Sequence, residues 1–484
     1  MADKDELAGG LTAAAGLYDA AARARATEVL ARVEAEGIET LRIVFADQHG
    51  VLRGKAVVAG ALPSVFRNGL AMTSTLLLKD TSHRTVFPVW EGDIGFGPGV
   101  LTGASDVLIV PDPASFRVLP WAPATGWFLC NLHFPDGRPL PLCTRSMLVR
   151  AMDRLADAGL AMLCGLEVEF HVFRVENPRL AHADGGMPPA PPETSLLGHG
   201  FQYLTDARYE PVAPLMDEIR RGAQALDLPV RSMEVEFGPS QFEVTFDPAP
   251  PMAHAENMLL FRALVKETCR QRGLHASFMC RPRRPDVLPS GWHLHQSVLA
   301  AETGESLFAT ADGGLTRTAS GWIAGLLENA AATCLLSTPT VNGYKRYQPG
   351  QLAPDRIQWG RDNKGAMIRA LIRPGDPAAR IENRVAEPAA NPFLFFASQA
   401  LAGLDGVSRG LAAPEPVETP YAGEAPRLPR SLIAAIEAWE ESGFVRAAFG
   451  AEVQRYLAHI KRAEWERYLF TVSEWEEREY FSLF

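Results

Sequence analysis

Residues 162–175, MLCGLEVEFHVFRV, read as one β-strand, with Glu167 and Glu169 two positions apart in an otherwise apolar pattern. Side chains at i and i+2 of a strand share a face, so both carboxylates point the same way. Residues 290–297, SGWHLHQS, repeat the arrangement with His293 and His295. A third segment, MEVEFGPSQFEVTF (233–246), carries Glu234, Glu236 and Glu243, and ARIENRVAEPAANP (379–392) sets Glu382 between Arg380 and Arg384. Taken singly, an E-x-E pair is more often a solvated edge, and an H-x-H pair is often structural. Taken together, carboxylates crowded on one inner face repel each other and lose hydration, and a divalent cation is the usual reason to keep them. Oxygen donors with one imidazole suit Mg2+ or Mn2+ better than Zn2+.

Arginines follow. Residues 342–384 hold Arg346, Arg356, Arg361, Arg369, Arg373, Arg380 and Arg384, with Lys345 and Lys364. Guanidinium groups beside a divalent ion are what phosphoryl transfer requires to neutralise charge on a γ-phosphate. An ordinary basic loop on an acidic protein is the plainer reading. No phosphate-binding GxxxxGK[ST] or GxGxxG loop accompanies a strand, which disfavours P-loop, dinucleotide-binding and protein-kinase folds.

Outward from these strands, the segment SMLVRAMDRLADAGL (146–160) reads as a helix, as do residues 18–35. LRIVFADQHGVLRGKAVV (41–58) reads as two strands around a turn at Asp47–Gly50, and 106–121 adds further β structure. Residues 177–200 and 413–430 are Pro-rich and read as loops, the second leading into a helical tail. The expected fold is α+β in two domains, 36–140 and 141–484. At 484 residues and 47% hydrophobic, the chain can bury a core for both. A net charge of −10 argues against nucleic acid as the main partner. Six scattered cysteines without a CxxC pair suggest reduced thiols, and no apolar run or leader-like N-terminus suggests a membrane protein, so a soluble, cytoplasmic protein is expected.

The segments GLEVEF, EFGPSQFE, SGWHLHQS, NGYKR…APDRIQWGRDN, RIENRVAEPAANPFLFFASQALAGLDG and KRAEWERY…SEWEEREYF resemble, in order, the signature blocks of the glutamine synthetase family. The likeness runs from about residue 36 to the C-terminus. It implies ATP-dependent ligation of an amine to the γ-carboxylate of L-glutamate through γ-glutamyl phosphate. It also implies a small β-grasp-like N-terminal domain, a catalytic domain whose active site is an α/β half-barrel, and self-association into rings (hexamers or dodecamers) with sites between subunits. By position, Glu169, Glu236 and Glu243 would hold one Mg2+ or Mn2+, and Glu167, His293 and Glu382 a second. His295, Ser297, Lys364, Arg369 and Arg380 would meet ATP. Arg346 and Arg384, with Glu169, would hold glutamate, and Arg346 and Arg369 would act on the reacting phosphate.

Departures from the family fall on the amine side. Where ammonia-using members carry a glutamate, the block PGQLAP has Leu352, which offers an ammonium ion no counter-charge but gives an apolar body a surface to bury. Asp80 and Ser82 stand loosely where the family's DGSS loop serves the amine, Asp80 as candidate proton acceptor. Leu288-Pro289 replaces an Asn-Gly pair that touches glutamate, Trp292 replaces a methionine and is a candidate for narrowing or stacking on the amine site, and Lys364 replaces an arginine. His83, Phe87 and Trp90 are candidates for an amine pocket or a ring interface. The favoured activity is therefore a γ-glutamylamide synthetase for an apolar, aromatic or alkyl amine, of the kind used in amine catabolism. Glutamine synthesis from ammonia, γ-glutamylation of polyamines and a non-catalytic family member are the alternatives.

Overall fold

The computed structural model describes residues 7–308, 310–348 and 353–484, so Leu352 lies outside the described residues. Its first sheet is built from β1 (Thr40–Ala46), β2 (Leu52–Val58), β3 (Leu70–Thr73), β4 (Asp106–Pro111), β5 (Arg117–Val118) and β6 (Thr125–His133). The order is β2–β1–β6–β4–β3, with β5 also on β6, and β1 and β6 run parallel while the remaining pairs are antiparallel. The helix Ala20–Ala35, capped by the Asp19 carboxylate accepting from the Ala22 N–H (2.7 Å), buries Ala26, Val29 and Val33. Arg32 of that helix lies over the Phe116 ring, so residues before 36 pack with this sheet as well.

The second sheet carries the strand that opened the sequence reading, extended to sixteen residues as β7 (Leu160–Val175). With it run β8 (Thr194–Leu196), β9 (Val230–Val235), β10 (Gln241–Phe246), β11 (Leu274–Ser277), β12 (Trp292–Ala300), β13 (Trp359–Arg361), β14 (Ile368–Leu371) and β15 (Arg380–Asn383). The order is β13–β14–β15–β12–β7–β10–β9, with β8 and β11 also pairing β7. One face is apolar: Leu166, Val168 and Phe170 of β7, Phe242 and Val244 of β10, and Trp292 and Leu294 of β12 are all buried. Against this face pack helices that include Thr144–Asp157, Pro251–Gln271 and Pro392–Ser408. The alternate residues of the same strands turn the other way and make the site.

Several contacts join the two sheet units, among them a salt bridge and a turn. The Arg145 guanidinium bridges Asp112 of the first unit and Glu256 of the second, each at 2.6 Å. The β1–β2 turn falls at Asp47–Gly50 as expected. There the Asp47 carboxylate accepts from the N–H groups of His49 (2.9 Å) and Val51 (3.0 Å). The Asp47 carbonyl in turn accepts from the Asn391 side chain (2.8 Å), whose own oxygen caps the 392–408 helix. Residues 177–200 are irregular apart from β8 and one short turn of 3-10 helix. All six cysteines are buried and unbridged. Among the described residues no helix is long and apolar enough to cross a membrane.

Candidate active site

Register brings the predicted residues together. Across three adjacent strands, Glu234, Glu243 and Glu169 stand opposite one another, because Glu243 pairs with Glu234 on one side and Glu169 on the other. One step along, His293 of β12 lies opposite Glu167 of β7, and His295 lies opposite Glu382 of β15. Arg369 of β14 is next, opposite Glu382. The polar face of the sheet thus grades from carboxylates through imidazoles to guanidinium groups. It floors an open cavity of about 430 Å³ whose lining includes Glu167, Glu169, Glu236, Glu243, His293, Arg346, Lys364, Arg369 and Arg384.

Glu167 accepts from both imidazoles, His293 Nδ1 at 3.1 Å and His295 Nε2 at 2.8 Å. Arg380 donates from Nε to His295 Nδ1 (3.1 Å), which leaves the His295 proton on Nε2, facing Glu167. Burial alone would raise the Glu167 pKa, but the two imidazole hydrogen bonds outweigh it and hold the carboxyl well below its usual range. Burial, reinforced by the Arg384 charge, pushes the His293 pKa down to about 4. Glu382 is fully buried between Arg384, in contact with it, and Arg369 at 3.1 Å. Burial acts upward on its pKa, but Arg384, with His293 and His295, holds it below the usual value. Arg369 also reaches Asp362 at 2.5 Å.

The carboxylates on the other side of His293 lack such partners. Burial and then the Glu236 charge push Glu169 up to about 7, although it accepts from the Gly291 N–H at 2.9 Å. Burial and the charges of Glu169, Glu167, Glu236 and Glu234 push Glu243 up to about 10. That crowding is the physical sign of a site shaped for cations. Among the described residues, two groups have ligand atoms close enough to share an ion: Glu167 with His293 and Glu382, and Glu169 with Glu243 and His293. The first coincides with one implied ligand set. In the second, His293 stands in the place expected for Glu236, whose carboxylate accepts instead from the Phe237 N–H at 2.8 Å while lining the same cavity. The oxygen-rich donor set fits a hard divalent ion.

Other predicted residues fall into place unevenly. Arg346 donates to the carbonyls of Arg384 (2.8 Å) and Val385 (3.2 Å) and reaches His293 Nε2 at 3.3 Å. A side chain at Gly291 would come within 2.5 Å of its guanidinium, so glycine is what lets Arg346 lie there. Ser297 follows His293 and His295 on the same strand face, its hydroxyl donating to the Ala379 carbonyl at 2.9 Å. Lys364 lines the cavity, and its charge acts on Glu236. Trp292 requires a correction. As the strand neighbour of His293 it must face the other way. It is fully buried in the core against Phe395 and Phe396, with Arg262 over its ring, and does not reach the cavity.

Asp80 lies outside this cavity too. Its carboxylate accepts from the N–H and hydroxyl of Ser82, the N–H of Arg84 and the Arg467 guanidinium. Burial acts upward on its pKa, but the Arg84 N–H, Ser82 and Arg467 together hold it below the usual value. These contacts fix the shape of the 80–84 loop in the first sheet unit, which the family resemblance would set against a neighbouring copy's site. Phe87 stacks on Tyr456 and His459, Trp90 is exposed, and His83 is exposed at a positive φ of 69°. Sequence reasoning gave no role to Glu234, Tyr203, Phe237 or Gln241, all of which line the cavity. The register partner of Glu243 could have been sought in the E-x-E pair at 234–236, whereas nothing local marked Tyr203.

Comparison with known proteins agrees with this geometry. Residues 141–480 match the family model described as the glutamine synthetase catalytic domain. The chain is 38% identical over 481 residues to a gamma-glutamylanilide synthase of Acinetobacter sp, covering 95% of this chain and 96% of that protein. It is 31% identical over 462 residues to the gamma-glutamylethanolamide synthetase GlnA4 of Streptomyces coelicolor, covering 94% and 95% respectively. A solved structure of ligand-free GmaS superposes with a TM-score of 0.78 at 28% identity, covering 94% of this chain and 99% of that one.

Proposed function

The chain belongs to the glutamine synthetase family of C–N bond-forming ligases, and from that membership we propose that it joins an organic amine, apolar or aromatic, to the γ-carboxylate of L-glutamate at the expense of ATP. The observation that carries the reading is the shared cavity floor. It brings residues of both candidate metal-ligand groups into one cavity with Arg346, Arg369 and Arg384. Support for an organic amine comes from the names of the relatives, an anilide and an ethanolamide synthetase, and from Leu352 in the sequence where an ammonium-binding carboxylate would stand.

In the proposed reaction a γ-carboxylate oxygen of glutamate takes the γ-phosphoryl group of ATP and ADP leaves. The amine nitrogen then forms the C–N bond with its lone pair while the C–O bond to phosphate breaks, and the nitrogen gives up one proton. Bound Mg2+ or Mn2+ would supply fixed positive charge beside the phosphate oxygens. The protein's own part is positional. Arg369 and Arg380, held by Asp362, Glu382 and His295, would meet the nucleotide phosphates with Lys364. Arg346 and Arg384 would hold the glutamate and its acyl phosphate, fixed by the 384–385 carbonyls and by Glu382. His295 and Ser297 would border the nucleotide. Preorganised donors of this kind need no reordering as charge develops, which is where most of their effect arises. The expected setting is the cytoplasm, where ATP and glutamate are both supplied, with the protein assembled in rings.

The test is ADP release by the purified protein with ATP, glutamate and Mg2+ or Mn2+ across ammonium, putrescine, ethanolamine, isopropylamine and aniline, with each γ-glutamyl product identified by mass spectrometry. Turnover on aniline or an alkylamine well above that on ammonium is expected. A preference for ammonium would return the chain to glutamine synthesis, and no ADP release with any amine would end the ligase reading.

A further inference from the structure

The cavity lining also includes residues that are neither acidic nor basic. Tyr203 and Phe237 are among them, together with Leu288 and Pro289. Phe237 is 46% exposed and Tyr203 50%, and Phe201, behind them, is 49% exposed. The rings touch. Phe201 and Phe237 have centroids 5.9 Å apart at 48°, and Tyr203 meets Phe237 edge-on at 6.5 Å and 61°. Single exposed apolar residues are ordinary on a protein surface. Three half-exposed aromatic rings in mutual contact, two of them lining a reaction cavity, offer a binding surface.

The rings are held rather than draped. Phe237 follows Glu236 directly, and its N–H donates to that carboxylate at 2.8 Å. The Gln202 N–H donates to the Phe237 carbonyl (3.2 Å), and the Gln202 side chain donates to the Glu236 carbonyl (2.7 Å). The Leu204 N–H donates to the Val235 carbonyl at 3.3 Å. The rings therefore have a fixed position relative to Glu236 and to the carboxylate ladder behind it.

We propose that Tyr203 and Phe237, backed by Phe201, form the acceptor subsite of this enzyme and select a primary arylamine. The assignment rests on the ligase reading above and does not depend on Leu352. A flat ring stacks offset or edge-on against such rings, and Leu288 and Pro289 add apolar surface to the same cavity. Its amino group is neutral near pH 7, so its lone pair is available to the acyl carbon without prior loss of a proton. A small alkylamine is cationic at that pH and too narrow to span two rings, and it gains little here.

The holoenzyme with Mg2+ and saturating ATP and glutamate tests this through kcat/KM for aniline and for isopropylamine in wild type, Phe237→Ala, Phe237→Leu and Tyr203→Leu. Aniline efficiency should fall about tenfold in Phe237→Ala, the loss expected from one stacked ring. Isopropylamine efficiency and the KM values for ATP and glutamate should stay within about twofold, a change too small to count as a lost contact. Phe237→Leu keeps apolar volume and should lose only the preference for the aromatic amine. Equal losses on both amines, or a raised KM for ATP that shows the rings hold adenine instead, would overturn the assignment while leaving the ligase reading intact. A wild type that uses ammonium alone would overturn the assignment together with the organic-amine reading, and no ADP release with any amine would overturn the ligase reading as well.

Discussion

Glu243 stands between two other carboxylates in register, Glu234 and Glu169, and burial together with their charge disfavours its ionised form. Protonation relieves that arrangement in the absence of metal, and a bound cation relieves it with the carboxylate ionised. Glu243→Gln should therefore shrink the rise in Tm that Mg2+ gives the wild type, the share of this one group being roughly 3 kcal/mol in stability at a hundredfold excess over Kd, while the Glu167, His293 and Glu382 group keeps its own. Thermal scans with and without metal read this directly, and an unchanged Mg2+ response would remove Glu243 from the metal site. Arg369 spans Asp362 and Glu382 with two arms, a geometry that a lysine keeps in charge but not in shape. Arg369→Lys should lower kcat/KM for ATP by about ten- to a hundredfold, the cost of one to two bidentate contacts, with little change in the glutamate KM. The two-residue strand period made most of this site legible in the sequence, because it placed Glu167, Glu169, His293 and His295 on common faces. The same period, applied strictly, puts Trp292 on the far side from His293, and reading it as an amine-site residue let a family position outweigh strand geometry. Trp292→Leu should cost about 2–4 kcal/mol in urea unfolding and leave the ratio of aniline to alkylamine turnover unchanged.

Strands and helices carry effects that no single segment announces. The β1–β2 turn was readable from DQHG, yet its contact lies 344 residues away at Asn391, at the head of the helix behind the site. Gly50 has a φ of 72°, and a side chain there would stand 2.9 Å from the Asn391 Cα. Gly50→Ala combines backbone strain with that clash and should destabilise by about 1–3 kcal/mol, read as a lower urea midpoint with unchanged m-value. In the first turn of the 251–271 helix, His254 is fully buried with Nε2 3.0 Å from the Asp247 carbonyl. Burial holds its pKa down at about 4 against an ordinary 6.5. Between those values the unfolded chain binds a proton that the folded one refuses. Stability from this group is therefore complete above pH 6.5 and lost as pH falls towards 4, a change of about 3 kcal/mol. Urea midpoints across that window should fall with pH in the wild type and fall less in His254→Gln. An equal slope in both would assign the acid sensitivity elsewhere. The sequence could not show this, because burial of a helix's first turn depends on which sheet it meets.

At the scale of the molecule, the helix 451–469 ties the two sheet units together, Tyr456 donating to the Leu77 carbonyl and Arg467 pairing with Asp80 at 3.1 Å. Beyond it the chain leaves the core. Phe470, Val472, Trp475, Phe481, Leu483 and Phe484 are all exposed around the short helix Glu474–Tyr480, where Glu474 pairs with Arg283. A lone soluble chain rarely presents that much apolar surface in one place, and a second copy of the chain is the occupant that the proposed ring assembly supplies. None of these side chains belongs to the buried core, so removing residues 470–484 should leave the fold and its far-ultraviolet circular dichroism unchanged. The truncated protein should instead elute as a smaller assembly by light scattering. Its specific activity should fall on dilution if neighbouring copies complete one another's sites. A full-length protein that is monomeric at micromolar concentration would overturn the ring reading. A truncated one that assembles like the wild type would move the interface to another surface, for which exposed Trp90 in the first unit is the next place to cut.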